Sequence, residues 1–248
     1  MKIGQMKIGQ RLIHGAYGPR GSEPVPIVWL KAADDGRFLS ELVLDRLNVN
    51  PFRQNQREHP YASSCLDAFL NSDAEVFEAP LRPETYYYTA FAQDGRNGFL
   101  YAFSETDRAA LATMRTCING QDHYSRVRIP TMEDVFDIGT RLRLFNRKGV
   151  RTQAQVYENY AAISGGYHFC PYVLTSRYTS DYYQVDSMGY RDGSYPTNEY
   201  GIRPMIRIDP CTEIEQIRDG VFQVKGGAVK IMKLPEPSGL FDFYFGLA

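Results

Sequence analysis

The sequence predicts an α+β protein, with helices early and short antiparallel strands with long loops late. Three observations carry this. Residues 27–44, "IVWLKAADDGRFLSELVL", hold two apolar runs on either side of an Asp-Gly step, the signal for a tight hairpin. Three short stretches each begin with a Ser or Thr placed to cap a helix. From Tyr172 onward, short extended segments alternate with turn residues every few positions.

The elements follow in order. "MKIGQ" occurs twice in residues 1–10 and reads as a repeated start rather than an architectural repeat. The hairpin of residues 27–44 turns at Asp34-Asp35-Gly36. "ASSCLDAFLNSD" (62–73) reads as a helix capped by Ser63 or Ser64, with Leu66, Phe69 and Leu70 on one face. "SETDRAALATMRTC" (104–117) reads as a second helix. Ser104 is its N-cap, and Asp107 lies three residues on, as a capping box requires. "VRIPTMEDVFDIG" (127–139) gives a strand and then a helix capped by Thr131. Its acidic residues Glu133, Asp134 and Asp137 suit a solvated face near a helix N-terminus. Strands follow in "YVLTS", "DYYQVDS", "YGIRPMIRID" and "VFQVKGGAVKIMKL", the last turning at Gly226-Gly227. Residues 1–209 form the expected domain. Residues 210–248 form a C-terminal strand extension packed on it or used in assembly, and its aromatic tail "LFDFYFGLA" is a candidate homo-oligomer contact.

Composition narrows the function classes. With 248 residues, 43% hydrophobic and 23% charged, the chain can bury a sizeable core. A net charge of −1 supplies no field for nucleic acid. No run of about 18 apolar residues predicts membrane insertion. The N-terminus lacks the apolar stretch of a secretory signal, which points to a cytoplasmic protein or a part of a phage particle. Cys65, Cys117, Cys170 and Cys211 form no CxxC pair and read as reduced, mostly buried thiols needing no disulfide. His14, His59, His123 and His168 show no metal-binding spacing, and no cofactor or metal is expected. His168 and Cys170 are two apart, so on a strand they face opposite ways and make a poor dyad. Nucleophile-elbow, phosphate-loop and dinucleotide fingerprints are missing, so no catalytic residue is assigned.

The unusual stretch is residues 176–204, "SRYTSDYYQVDSMGYRDGSYPTNEYGIRP". It holds six tyrosines where the whole-chain frequency of 18 in 248 gives about two. Tyrosine offers a large contact area with few rotors to freeze. Ser, Gly, Asn and Asp offer adaptable hydrogen bonds, and antibody paratopes use the same mixture. The expected ligand anchors are Tyr178, Tyr182, Tyr183, Tyr190, Tyr195 and Tyr200. Asp181, Arg191, Asp192 and Asn198 would set polarity. Turn dipeptides throughout predict irregular, solvent-facing backbone here. Arg203 and Pro204 belong to the scaffold, because "RPMIRI" alternates like a half-buried strand and an Arg there ties loops through its fork of donors.

Four segments in this order resemble a known family: residues 27–45, residues 55–73, "RIPTMEDVF" and the long "YVLTSRY…YGIRPMIRID" run. They span residues 8–209 and resemble an uncharacterised bacterial and phage domain. That domain is akin to the C-type-lectin-like fold of formylglycine-generating enzymes and of the variable proteins of diversity-generating retroelements. Tyr61 replaces a common tryptophan, and "LTSRY" replaces "LRSP". The resemblance implies a C-type-lectin-like fold and a ligand-binding surface for protein or glycan, because the diversified segment of the retroelement proteins lies just before the last core strand and is similarly rich in Tyr, Asn, Ser and Asp. It also implies two alternatives. One is an oxidase using copper held by two cysteines, but the matching region, 172–203, contains none, and Cys170 and Cys211 only flank it. The other is a structural component of a phage particle. Calcium-dependent sugar binding would draw on Asp181, Asp186, Asp192, Asn198 and Glu199, but the Glu-Pro-Asn type of signature is lacking.

Overall fold

The computed structural model describes residues 1–18, 23–47, 61–79, 95–118, 120–136, 172–178, 181–185, 191–194 and 200–227. Among these the chain is a mixed α+β structure, mostly sheet. The strands are β1 (Arg11–Tyr17), β2 (Val25–Lys31), β3 (Arg37–Ser40), β4 (Asp45–Leu47), β5 (Met114–Ile118), β6 (Gln121–Ser125), β7 (Val127–Arg128), β8 (Tyr172–Tyr178), β9 (Asp181–Val185), β10 (Arg191–Ser194), β11 (Tyr200–Ile202), β12 (Met205–Arg207), β13 (Ile214–Arg218) and β14 (Val221–Val224). Short helices are α1 (Cys65–Leu70), α2 (Glu105–Ala110) and α3 (Met132–Phe136). A seven-stranded sheet runs β13-β14-β1-β2-β3-β12-β7, and a five-stranded sheet runs β10-β9-β8-β11-β4. The hairpin β5–β6 stands apart from both.

The predicted hairpin forms as β2–β3, with Leu30 opposite Leu39 and Lys31 opposite Phe38. Gly36 makes its turn possible. Its φ is +86°, and a Cβ there would lie 2.0 Å from the backbone oxygen of Ile208, which has no room to yield. The Trp29 indole is fully buried and donates to the His14 carbonyl at 2.8 Å, so its polar edge is satisfied. Around it Phe38, Phe69, Phe99, Leu66 and Leu70 form the main core. Phe69 meets Phe77 edge-on at 5.5 Å between ring centres, a favoured aromatic geometry.

The helices start where the caps predict. Ser64, rather than Ser63, accepts from the Asp67 amide at 3.0 Å and opens α1. Ser104 and Asp107 form a reciprocal capping box on α2. Thr131 Oγ1 accepts from the Asp134 amide at 3.0 Å. The second helix is shorter than expected. It stops at Ala110, because Leu111 bridges to Ile208 and the Ala112 amide donates to the Arg207 carbonyl at 2.7 Å. Sheet pairing therefore overrides the helical propensity of residues 111–117.

The structure also places the duplicated start and corrects two further expectations. The duplicated start is folded into the body, with Ile3 and Met6 buried and the ammonium of buried Lys31 donating to both of their carbonyls, at 3.0 and 2.7 Å. The two copies even repeat one contact: the Lys2 amide donates to Gln5 Oε1, and the Lys7 amide to Gln10 Oε1. Asp134 is not on a solvated face. It is buried and accepts from Arg128 at 2.5 Å and from Arg37 at 2.6 Å. Burial opposes its charge, yet Arg128, Thr131 and Arg37 together hold its carboxyl below the usual range. Cys65 is a buried free thiol, but Cys117 and Cys211 are exposed. The reason for Cys117 is alternation, which places it on the outer face of β5.

Residues 210–227 run into the main sheet. β14 pairs in parallel with β1, with Arg11 opposite Val221, and β13 pairs with β14. The aromatic tail and the strand expected after Gly226-Gly227 lie outside the described residues. No helix among the described residues is long and apolar enough to cross a membrane.

Candidate functional site

The Tyr-rich stretch is more regular than its turn dipeptides predict. β8, β9 and β10 form an antiparallel meander. Tyr178 stands opposite Asp181 across a two-residue connection, and Arg191, Asp192, Gly193 and Ser194 stand opposite Val185, Gln184, Tyr183 and Tyr182. The expectation of irregular backbone over 176–200 is corrected for these strands. Tyrosine suits a pleated, half-buried surface, and that preference prevails over the isolated turn signals.

Strand alternation decides which tyrosines can face a ligand. Tyr182 is 1% exposed and belongs to the main core, and Tyr200 is 5% exposed in the same cluster. Both are corrected from exposed anchors to core residues. Tyr183 points to the opposite face of β9, where it packs half-buried against a small cluster of Val43, Val135, Tyr172 and Leu174. Gly193 is exposed directly across from Tyr183, and a Cβ built there would meet nothing within 4 Å. Gly193 itself adds no side chain over Tyr183. On the Tyr182 face, the half-buried Gln184 donates from Nε2 to Oδ2 of the exposed Asp192 at 3.1 Å, across the strand pair. β10 is the edge of its sheet, so this polar pair lies at a rim.

Of the ten predicted site residues, Tyr183 and Asp192 lie on neighbouring strands but on opposite faces of the sheet. Tyr178, Asp181 and Arg191 have described backbones in β8, β9 and β10. Tyr190, Tyr195 and Asn198 lie outside the described residues, as do Asp186, Glu199, His168 and Cys170. Gln184 was missed by the sequence reading, because nothing local marks it; its partner Asp192 lies eight positions away on the next strand. The scaffold role of Arg203 is met: buried, it donates from Nε to the Ser40 carbonyl at 2.8 Å and sits 5.4 Å from the centre of the Tyr172 ring.

Two His–Asp contacts were also missed, because each joins residues far apart in sequence. His14 sits at a bulge in β1, where the register shifts between Ile13 and Ala16 and Gly15 takes a φ of +64°. Its Nδ1 lies 3.3 Å from Asp107 Oδ1, too poorly aligned for a hydrogen bond. Burial pulls the ring down to about 4, against the attraction of Asp107, so this is a neutral imidazole and not an ion pair at neutral pH. The second contact joins His123 Nε2 on β6 to Asp67 Oδ1 on α1 at 3.1 Å. Burial pushes the Asp67 carboxyl up to about 6, while His123 and the Tyr61 hydroxyl work the other way. The fully buried Tyr61 hydroxyl also accepts from the Ile129 amide at 3.2 Å. Among the described residues no group of three or more His, Cys, Asp or Glu side chains is placed to hold a metal ion.

Comparison with family models, with curated proteins and with solved structures finds no match to this chain. The site is therefore read from its own residues.

Proposed function

We propose that this protein is a ligand-binding domain of C-type-lectin-like type, which recognises a protein or glycan through the exposed side of its β8–β9–β10 meander. One observation supports this above the others: Tyr183, half-buried and fixed in a strand, faces the bare Gly193 of the neighbouring strand, while the Gln184–Asp192 pair lies on the other face of the sheet. An aromatic ring held in a strand, with a bare glycine as its cross-strand neighbour, can stack on an apolar or sugar face and hydrogen-bond through its hydroxyl. The ring is already ordered, so binding costs less side-chain entropy than it would on a loop. The kinship with retroelement-diversified proteins and phage-associated binding proteins belongs to the same proposal and rests on the four sequence segments that resemble that family.

The test probes the wild-type chain and the Tyr183→Ala and Asp192→Ala variants against a glycan array and a displayed-peptide library. Ligands held by the wild type should lose about 30-fold or more in affinity with Tyr183→Ala, the scale of a hot spot of about 2 kcal/mol. Melting of the Asp192→Ala variant should not change. Ligands that bind all three proteins equally would place recognition elsewhere.

A further inference from the structure

The β5–β6 hairpin is the one sheet among the described residues that pairs with neither of the larger two. Its ends are anchored. The Ala112 amide donates to the Arg207 carbonyl at 2.7 Å, and the Arg126 and Val127 amides donate to Asn71 Oδ1 at 3.0 and 3.1 Å. Between these anchors the inner face presents Met114, Thr116, Ile118, His123 and Ser125, while Arg115, Cys117, Asp122 and Tyr124 face outward. Among the described residues, His123–Asp67 is the one side-chain hydrogen bond from residues 114–125 to the body. The inner face is also imperfectly satisfied. Thr116 Oγ1 and Ser125 Oγ are buried without a hydrogen-bond partner. Docking thus takes two hydroxyls from water without replacing their bonds, and opening would restore them.

We propose that the β5–β6 hairpin is a proton-controlled flap, latched to α1 by the His123–Asp67 pair and released as that pair loses its shared proton. The reasoning is local. Docking leaves Asp67 nearly shut off from water. A carboxyl there keeps a good bond to the imidazole while the two share a proton. Without that proton an anion stays in a poorly solvated seat, and opening returns it to water. The raised affinity of Asp67 for its proton, near 6, agrees with this direction. The groups that face the pair are few. Tyr61 stands edge-on to the His123 ring at 6.2 Å and bonds to Asp67. Asn71 Nδ2 lies 3.4 Å from Asp67 Oδ1. Arg128 on β7 and Tyr182 on β9 act on Tyr61 from behind. Arg115 and Asp122 pair with each other at 2.9 Å on the outer face. Because Tyr182 packs near Tyr61, the latch adjoins the buried side of β9, but the flap rests on its own geometry and not on the binding proposal.

For a carboxyl shifted from 3.8 to about 6 by docking, the open population rises about tenfold between pH 5 and pH 8. Amide hydrogen exchange of residues 121–125, corrected for intrinsic exchange chemistry, reads this directly, with the β1–β2 amides as the global control. The expected result is a tenfold loss of hairpin protection that the control does not share. Asp67→Asn keeps a polar partner for the ring but cannot titrate, so its hairpin profile should be flat. His123→Gln, a second variant at a more exposed position, should open the hairpin at every pH and move the transition upward, because His123 lowers the Asp67 value. The idea is overturned by hairpin protection that follows the β1–β2 control at every pH. It is equally overturned by protection constant from pH 5 to 8 in the wild type, or by an unchanged slope in Asp67→Asn.

Discussion

Replacing Tyr182 by alanine is the sharpest test of how the Tyr-rich stretch is built. Its ring is 1% exposed and packs in the cluster that holds Phe69, Phe99 and Leu66. Truncating a buried aromatic removes its transfer free energy and leaves a cavity that close-packed neighbours only partly fill, a loss of about 3–5 kcal/mol. Phe69→Ala, in the same cluster, should cost a similar amount. Asp192→Ala on the exposed rim should stay within about ±0.5 kcal/mol. The assay is urea unfolding followed by circular dichroism on the three variants, comparing midpoints at a common slope. For a chain of this size, 3 kcal/mol corresponds to a melting shift of roughly 6–12 °C, well above measurement error. A Tyr182→Ala loss below about 1 kcal/mol would show that the ring is not core. The assignment of inward and outward faces along β9 would then be reversed, and Tyr183 would lose its claim as the anchor.

Two further outcomes follow from buried charge. Burial depresses the His14 value from 6.5 to about 4, so its contribution is fully present above pH 6.5 and is lost as pH falls toward 4; that loss of about 3 kcal/mol should be missing from the acid-unfolding curve of a His14→Gln variant. Asp134→Asn leaves Arg128 and Arg37 facing a neutral amide and should cost about 3–5 kcal/mol by urea unfolding; because the wild-type carboxyl is held low, its stabilisation is present above the ordinary carboxylate range and fades only as pH drops through the lower folded value.

The parts of this fold that were legible in the sequence are those fixed by neighbours in the chain. The Asp34-Asp35-Gly36 turn, the Ser104–Asp107 box and the Thr131 cap each act over two or three residues, and each forms as read. One local signal argues against the helical reading of 104–117: Asn119-Gly120, a strong hairpin dipeptide, lies in the sequence between Ile118 and Gln121, which pair across β5–β6. The illegible parts depend on distance. The parallel pairing of β1 with β14 joins residues at opposite ends of the chain, and His123 meets Asp67 across 56 positions. Nothing in the spacing of either pair announces the contact. Asp134 shows the same limit, since a carboxylate in a first helical turn looks solvated until Arg37, 97 residues away, closes over it.

The tyrosines show why composition alone overstates a surface. A strand with cores on both sides needs large side chains on both faces, and β9 has the main cluster beneath Tyr182 and the Val43–Leu174 cluster beneath Tyr183. Two adjacent tyrosines are then what packing requires, with no ligand invoked. What packing does not require is Gly193. A glycine in the middle of an edge strand costs conformational entropy and buries nothing, and this one has open space where a side chain would fit. A larger residue there could cover Tyr183 and add apolar burial to the sheet, yet the position is bare. The asymmetry between β9 and β10, with a ring at Tyr183 and no side chain at Gly193, sets Tyr183 apart from its buried neighbour Tyr182 as the ring with space beside it at that glycine. Of the ten candidate residues, two therefore remain: Tyr183 beside Gly193 and, on the opposite face, Asp192 paired with Gln184.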